Sequence, residues 1–556
     1  MSTVFNCLKA PLWSLFFALL ICLPVQANQS AIASAHPLAT SAGIKVLEQG
    51  GNAFDAAITV SAVLGVVEPY SSGFGGGGFW LLHRESDQKQ VMIDGREKAP
   101  LAAHKDMYLD ASGNVVANAS INGPLAAGIP GMPAALVHIA EQYGVLPLQK
   151  TLAPAIELAE QGFEVESYYQ KMAAWRLQAL RDSFSASEIF LQDDDVPETG
   201  YRVRQPDLAK TLRHLAEKGF DGFYRGEVAE RLVKGVRDNG GIWTAKDLSD
   251  YQVIERSPVV FDYNDKKIIS AALPSSGGIV MAQIFNILSA YDYENLGKLK
   301  QKHLLIEAMR RAYQQRAKYL GDTDFVTLNL EKLTSKVHAR RLAEDIDLNR
   351  ASVSKGMVSA AEGQDTTHFS IMDNEGNRVA ATLSINYPFG SGFVPEGTGV
   401  LLNDEMDDFS ASPGVPNVYG LVGSQANAIA PGKRMLSSMS PTFVESDKGI
   451  AILGTPGGSR IITMVTLAIL AMEDSLDAKK WVDLPRFHHQ YLPDRVEHEP
   501  GALTAEEIKQ LTAMGHQLKQ VDNSYGNMQA VYMNKKTGNV SAASDNRGIG
   551  TAQVSR

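Results

Sequence analysis

Residues 351–364 are rich in Ser, Ala and Gly and poor in large apolar side chains, and directly after them the periodicity changes from helical to extended. The stretch reads as an exposed linker and as the best boundary in the chain. Upstream, residues 41–48 predict a helix closed by Gly50-Gly51, and residues 54–67 a long, buried, mostly apolar helix. Helical patterns dominate from 140 to 345, including 205–219, 228–239 and 302–319. Downstream, strands are expected at 367–372 and 378–385 around a loop centred on Asn374-Glu375-Gly376. If Asp373 pairs with Asn377, His368 faces Thr382 and Thr366 faces Ser384. Thr366, Ser384 and Asn386 then share one face, and a one-residue slip would scatter them. On spacing alone, an ordinary Thr-rich sheet face accounts for the same pattern.

The chain has 556 residues, 44% hydrophobic and 21% charged, a globular profile compatible with several domains or one composite α/β domain. Its formal net charge is −10 and it carries no basic block, which excludes nucleic-acid partners, whose binding needs clustered Lys and Arg. Residues 1–27 read as an export signal: Lys9, an apolar core from Leu12 to Leu23, and Val25-Gln26-Ala27 as a small-residue cleavage site. Cys7 and Cys22, the two cysteines, lie in that segment, so the exported product would contain no disulfide, thiolate metal site or cysteine nucleophile. With no other long apolar run, a soluble periplasmic or secreted protein is expected, free of the membrane once the signal is removed.

Several short motifs suggest chemistry and fail on context. Gly73-Phe74-Gly75-Gly76-Gly77-Gly78 fits the dinucleotide pattern, yet it follows a helix and Pro69 and opens into a strand at Phe79-Trp80-Leu81-Leu82. Ser352-Val353-Ser354-Lys355, Lys536-Thr537-Gly538 and Ser544-Asp545-Asn546 match the serine β-lactamase signatures, but the last two are reversed in order and nearly adjacent. His488-His489 lacks metal-ligand spacing and reads as structural, and there is no nucleophile-elbow G-x-S-x-G. No metal and no organic cofactor is expected.

A further set of motifs carries a resemblance. Asp365-Thr366-Thr367-His368-Phe369-Ser370, Asn403-Asp404-Glu405-Met406-Asp407-Asp408-Phe409, Leu436-Ser437-Ser438-Met439-Ser440-Pro441-Thr442 and Thr455-Pro456-Gly457-Gly458-Ser459-Arg460 look like the small-subunit motifs of the γ-glutamyltransferases (γ-glutamyltranspeptidases). Gln49-Gly50-Gly51-Asn52-Ala53-Phe54-Asp55, the glycine run from Ser71 to Phe79, Asp94-Gly95-Arg96-Glu97 and Pro274-Ser275-Ser276-Gly277-Gly278 resemble the large-subunit signatures, in order along the chain.

The resemblance implies an α/β N-terminal nucleophile hydrolase, a four-layer αββα sandwich built by two fragments of one precursor. It implies a signal peptide at 1–27, a large subunit at 28–365 and a small subunit at 366–556 that form one composite domain and associate as a heterodimer. Self-cleavage would fall between Asp365 and Thr366, making Thr366 the nucleophile. A threonine hydroxyl is a weak nucleophile, whereas an N-terminal threonine brings its own amine as base. The implied activity transfers the γ-glutamyl group of glutathione and related donors to water, amino acids or short peptides. Gly457 and Gly458 would supply the oxyanion N–H groups. Arg96, Ser437 and Ser438 would hold the substrate α-carboxylate, and Asp408, Glu405 and Asn386 its α-ammonium. Thr367 would hydrogen-bond near the nucleophile and Ser384 would orient it. Ser384 stands where the family has Thr, and Glu405 where it has Gln or Glu. Pro413 to Ser424 resembles the lid loop of a bacterial subgroup, with Tyr419 closing over the pocket. Two rivals remain: a glutaryl (cephalosporin) acylase of the same fold, against which the Asp408 and Glu405 pair argues, and a non-processing periplasmic amino-acid-binding scaffold.

Overall fold

In the computed structural model, which describes residues 29–355, 366–410 and 423–555, the expected hairpin is the centre of the molecule. Strands Thr367–Met372 and Arg378–Ser384 pair antiparallel with Met372 opposite Arg378, His368 opposite Thr382 and Thr367 opposite Leu383. This is the register read from the sequence, and Asp373 closes it by donating its N–H to the Asn377 carbonyl at 3.1 Å. The export signal, the linker from 356 on, Asp365 and the lid stretch 413–422 with Tyr419 lie outside the described residues.

Two antiparallel sheets stack face to face. The first has seven strands in the spatial order Thr551–Val554, Ala31–Ser34, Thr367–Met372, Arg378–Ser384, Gly77–Arg84, Lys89–Gly95 and Ile254–Arg256. The second has six: Val540–Ser544, Gln529–Asn534, Gly449–Gly454, Thr442–Glu445, Lys266–Ser270 and Val259–Tyr263. Helices Pro37–Glu48, Ala53–Val67 and Met132–Gln142 cover the outer face of the first sheet, while Gly277–Leu288 and Ile461–Ala471 cover that of the second. The layering is αββα, the N-terminal nucleophile hydrolase arrangement.

Burial on both faces explains why the central strands are apolar throughout. In Gly77–Arg84, Trp80 and Leu82 join the core beneath the outer helices, whereas Phe79 and Leu81 join the core between the sheets. Every residue of Ala53–Val67 is buried, and Asn52 starts that helix with a capping box closed by Asp55. The half read as mainly helical also contains the strands Ile254–Arg256, Val259–Tyr263 and Lys266–Ser270. At three to five residues each, they are too short for their alternation to stand out among long helices. The start of the linker is not free: Ala351 N–H donates to Met514 O, Ser352 N–H to Glu307 and Ser354 N–H to Asp494, at 2.7, 3.1 and 2.7 Å.

Candidate active site

Alternation along the hairpin decides which side chains meet. Met372 and Ala380 face the space between the sheets, so Ser370, His368 and Thr366 face it too, as do Thr382 and Ser384. They form a polar file. Thr366 Oγ1 lies 3.3 Å from Ser384 Oγ, which also accepts the Asn386 N–H at 2.8 Å. His368 bonds Thr382 at 2.8 Å and Ser370 at 3.2 Å, and burial pushes its pKa down to about 3, so it is a neutral spacer. Thr367 points the other way, with Phe369 and Ile371, into the core beneath the outer helices. Among the described residues its Oγ1 has no hydrogen-bond partner, so the bond expected beside the nucleophile is not formed in this structure.

At the end of that file is a cavity of about 20 Å³ lined by Thr366, Ser384, Asn386, Arg96, Glu405, Asp408, Ser437, Ser438 and Gly458. Segments far apart in sequence deliver these groups. Arg96 follows the strand Lys89–Gly95. Glu405 and Asp408 bracket one 3₁₀ turn, pinned by Asn403, whose side-chain amide donates to the Gly75 and Gly128 carbonyls at 2.6 and 2.7 Å. The glycine run must be glycine here because a Cβ on Gly76 would sit 2.2 Å from the Ser384 carbonyl oxygen. Asn386 adopts φ 75°, a conformation Asn tolerates, and its side chain donates to Asp404 O at 3.1 Å.

Arg96 lines the cavity with the serine pair, but no hydrogen bond joins it to them among the described residues. Its guanidinium forks to Glu405 Oε2 and Asp408 Oδ2, both at 2.5 Å, with Glu97 Oε2 at 3.4 Å. Arg96, Glu97 and Glu405 are fully buried. Burial pushes the Glu405 carboxyl well above the usual range and Glu97 up to about 7, with Arg96 opposing both. Burial opposes the Arg96 charge as well, but Glu405, Glu97 and Asp408 outweigh it and hold the guanidinium protonated.

Ser437 and Ser438 lie across the cavity, and the Ser438 hydroxyl accepts from Arg316 Nη2 at 3.2 Å while Arg316 Nε donates to Ser276 Oγ at 2.9 Å. Arg316 lines the cavity and was not singled out in the sequence. Its signal was present: it continues the buried stripe of Leu305, Met309 and Ala312, where a cation is out of place. Gly458 lines the cavity, and it and Gly457 have φ of 55° and 134°, ahead of the helix Ile461–Ala471. That turn is fixed on both sides, since Tyr313 donates its hydroxyl to Ser459 O and Arg460 pairs with Glu497 at 2.6 Å.

His488 and His489 are structural, bonded to Thr463 at 2.9 Å and Asp494 at 3.2 Å. His303, Glu307 and His516 bring three metal-type ligand atoms within 4.8 Å. Those atoms already bond one another or the protein. His303 Nδ1 and His516 Nε2 share a 2.7 Å hydrogen bond, His303 Nε2 meets Asp347 O at 2.9 Å, and Glu307 is held by Arg310 and Arg311.

Comparison with known proteins agrees with this layout. The profile of the family described as Gamma-glutamyltranspeptidase matches residues 39–555. A glutathione hydrolase proenzyme of Pseudomonas sp. (strain A14) is 44% identical over 500 residues, covering 88% of this chain and 87% of its own. The glutathione hydrolase proenzyme of Escherichia coli K12 is 40% identical over 535 residues, covering 95% and 92%. Among solved structures, the cephalosporin acylase of Bacillus halodurans superposes with a TM-score of 0.84 at 26% identity, covering 99% of both chains. The γ-glutamyltranspeptidase of Helicobacter pylori gives 0.56 at 41% identity, over 57% of this chain and 92% of that one.

Proposed function

The chain belongs to the γ-glutamyltranspeptidase family, and from that premise we propose that it is an exported, self-processing glutathione hydrolase and γ-glutamyltransferase whose nucleophile is Thr366. The observation that carries the reading is the convergence of Thr366, Ser384, Arg96, Glu405, Asp408, the serine pair and Gly458 on one cavity. Removal of residues 1–27 delivers the precursor to the periplasm or the medium. Thr366 Oγ attacks the Asp365 carbonyl carbon, the acyl group shifts from nitrogen to oxygen, and water opens the ester. This leaves an Asp365 carboxylate and a free Thr366 amine, so cleavage itself supplies a base with a pKa of about 7.7 to 8.0 before any perturbation.

In turnover the Thr366 oxygen bonds to the γ-carbonyl carbon as the amide C–N bond breaks. The hydroxyl proton passes through the amine to the leaving nitrogen. The Gly457 and Gly458 N–H groups stabilise the oxyanion, and losing such a donor typically costs about 10² to 10³ in rate. Water or an amine acceptor then takes the γ-glutamyl group. The substrate's α-carboxylate and α-ammonium insert between Arg96 with the serines and Asp408 with Glu405 and Asn386. A glutaryl donor lacks the ammonium and would leave the two carboxylates without their cation, which argues against the acylase reading.

Intact masses under denaturing conditions test the proposal, together with γ-glutamyl-p-nitroanilide turnover. Two fragments breaking between Asp365 and Thr366, absent in Thr366→Ala, are expected. A Thr366→Ala protein that still splits or still turns over would remove Thr366 from the mechanism. An uncut, inactive wild type would favour the binding-scaffold reading.

A further inference from the structure

A cavity of about 570 Å³, within the range of small-ligand sites, is walled by the helices Lys298–Tyr319 and Ile461–Ala471 and by Phe487. It shares no lining residue with the small cavity at Thr366. Ile461 lines the small one, whereas Leu467 and Leu470, at the other end of the same helix, line this one. The rise from Ile461 to Leu470 is about 13 Å. The floor is apolar, made by Leu305, Leu467, Leu470, Leu484 and Phe487. Tyr263 lines the cavity although it is only 4% exposed, with its ring held against Phe285 at 4.6 Å between centroids. Its hydroxyl has no hydrogen-bond partner among the described residues. Buried hydroxyls are normally paired, so one left over at a cavity is a place for a ligand atom.

We infer that this cavity, remote from Thr366, binds a free α-amino acid with an apolar side chain, held as its zwitterion. The inference does not depend on the functional reading above. The lining charges select the class. Glu473 is paired with Lys266 at 2.5 Å and Lys302 with Glu507 at 2.7 Å. Three others have no counter-ion among the described residues: Lys298, Asp474 and Glu294, whose carboxylate accepts only from the Asn264 amide at 2.7 Å. A ligand of one charge leaves the opposite group unmet. An amino-acid end gives its carboxylate to Lys298 and its ammonium to Asp474 or Glu294, while its side chain lies on the leucines and Phe487. Burial raises the Tyr263 pKa to about 12, with Glu473 and Glu294 adding to the rise, so this neutral phenol stands at the acidic end, where its oxygen accepts from the ammonium.

The test is calorimetric titration of the purified protein with L-phenylalanine, 2-phenylethylamine and 3-phenylpropionate, the last two each lacking one charge. L-Phenylalanine is expected to bind tightest. Asp474→Ala should weaken L-phenylalanine and 2-phenylethylamine by about two- to fivefold, the scale of one exposed ion pair, and leave 3-phenylpropionate unchanged. Lys298→Ala should weaken L-phenylalanine and 3-phenylpropionate and spare the amine. Both side chains are exposed, so neither change threatens the fold. Ala471→Trp fills the cavity and should abolish this binding while γ-glutamyl-p-nitroanilide turnover stays at the wild-type rate. L-Phenylalanine taken up as an acceptor at Thr366 would survive in that variant and is thereby told apart. If Ala471→Trp does not fold, the two charge variants decide alone. No saturable binding of L-phenylalanine to the wild type, binding that Ala471→Trp leaves intact, or charge variants that weaken all three compounds alike would each overturn the inference. A protein without turnover leaves the titrations valid, so a failure of the functional reading is seen separately.

Discussion

At the scale of single residues, the hydroxyl opposite Thr366 is the most informative position. Ser384 Oγ sits 3.3 Å from Thr366 Oγ1 and is itself fixed by the Asn386 N–H. Ser384→Ala removes one oriented hydrogen bond, worth about 1 to 1.5 kcal/mol, so self-cleavage and kcat should each fall about tenfold. Ser384→Thr keeps the hydroxyl and adds a methyl that restricts its rotamers, so processing should run at least as fast as in the wild type. Following fragment appearance with time checks both. The pairing of Thr366 with Ser384 was legible in the sequence because hairpin register is arithmetic once the turn is placed. The orientation of Thr367 was legible by the same alternation, yet the motif led away from it. Which partners Arg96 holds was not legible, because its carboxylates are about three hundred residues distant and only the tertiary fold brings them together.

Among the elements, the turn from Thr455 to Arg460 bears the greatest demand, since the proposed oxyanion site needs two glycine N–H groups aimed at one spot while glycine itself prefers no conformation. The constraint comes from outside the turn, through Tyr313 on Ser459 and Glu497 on Arg460. Burial alone would raise the Glu497 pKa, but Arg460 and Arg495 outweigh it and hold it at about 2. Because this pKa lies below its unfolded value near 4.5, the pair's stabilisation is complete above about pH 4.5 and is lost as the pH falls toward 2. Glu497→Gln leaves Arg460 buried without its counter-ion, a loss of about 3 to 5 kcal/mol at neutral pH that shrinks on acidification. Denaturant melts at pH 7 and pH 3.5 measure the difference, and equal losses at both would contradict it. The sequence showed the glycines of this turn but not its braces. Glu497 belongs to a three-residue strand with no distinctive pattern, and Tyr313 lies on a helix that reads simply as amphipathic.

For the molecule as a whole, strands before and after residue 365 interleave. In the first sheet Ala31–Ser34 lies between Thr551–Val554 and Thr367–Met372, and Gly77–Arg84 lies beside Arg378–Ser384. In the second, Lys266–Ser270 pairs with Thr442–Glu445. The boundary marked in the sequence therefore does not divide the core, because a break in composition says nothing of which strands pair. Cleaved protein should elute as one heterodimer and melt in one transition, with both fragments losing structure together. Two separate calorimetric transitions would count against it. The Arg96 ion pair extends this picture to the surrounding electrolyte. A zwitterionic amino-acid end entering between Arg96 and its carboxylates exchanges one set of partners for another and carries no net charge into the protein. On the proposed reading the small cavity would act as an ion exchanger whose counter-ions are covalently attached, and salt would have nothing there to displace. KM for γ-glutamyl-p-nitroanilide should therefore stay flat as ionic strength rises. A KM that climbs with added salt would show that free ions do compete for that site.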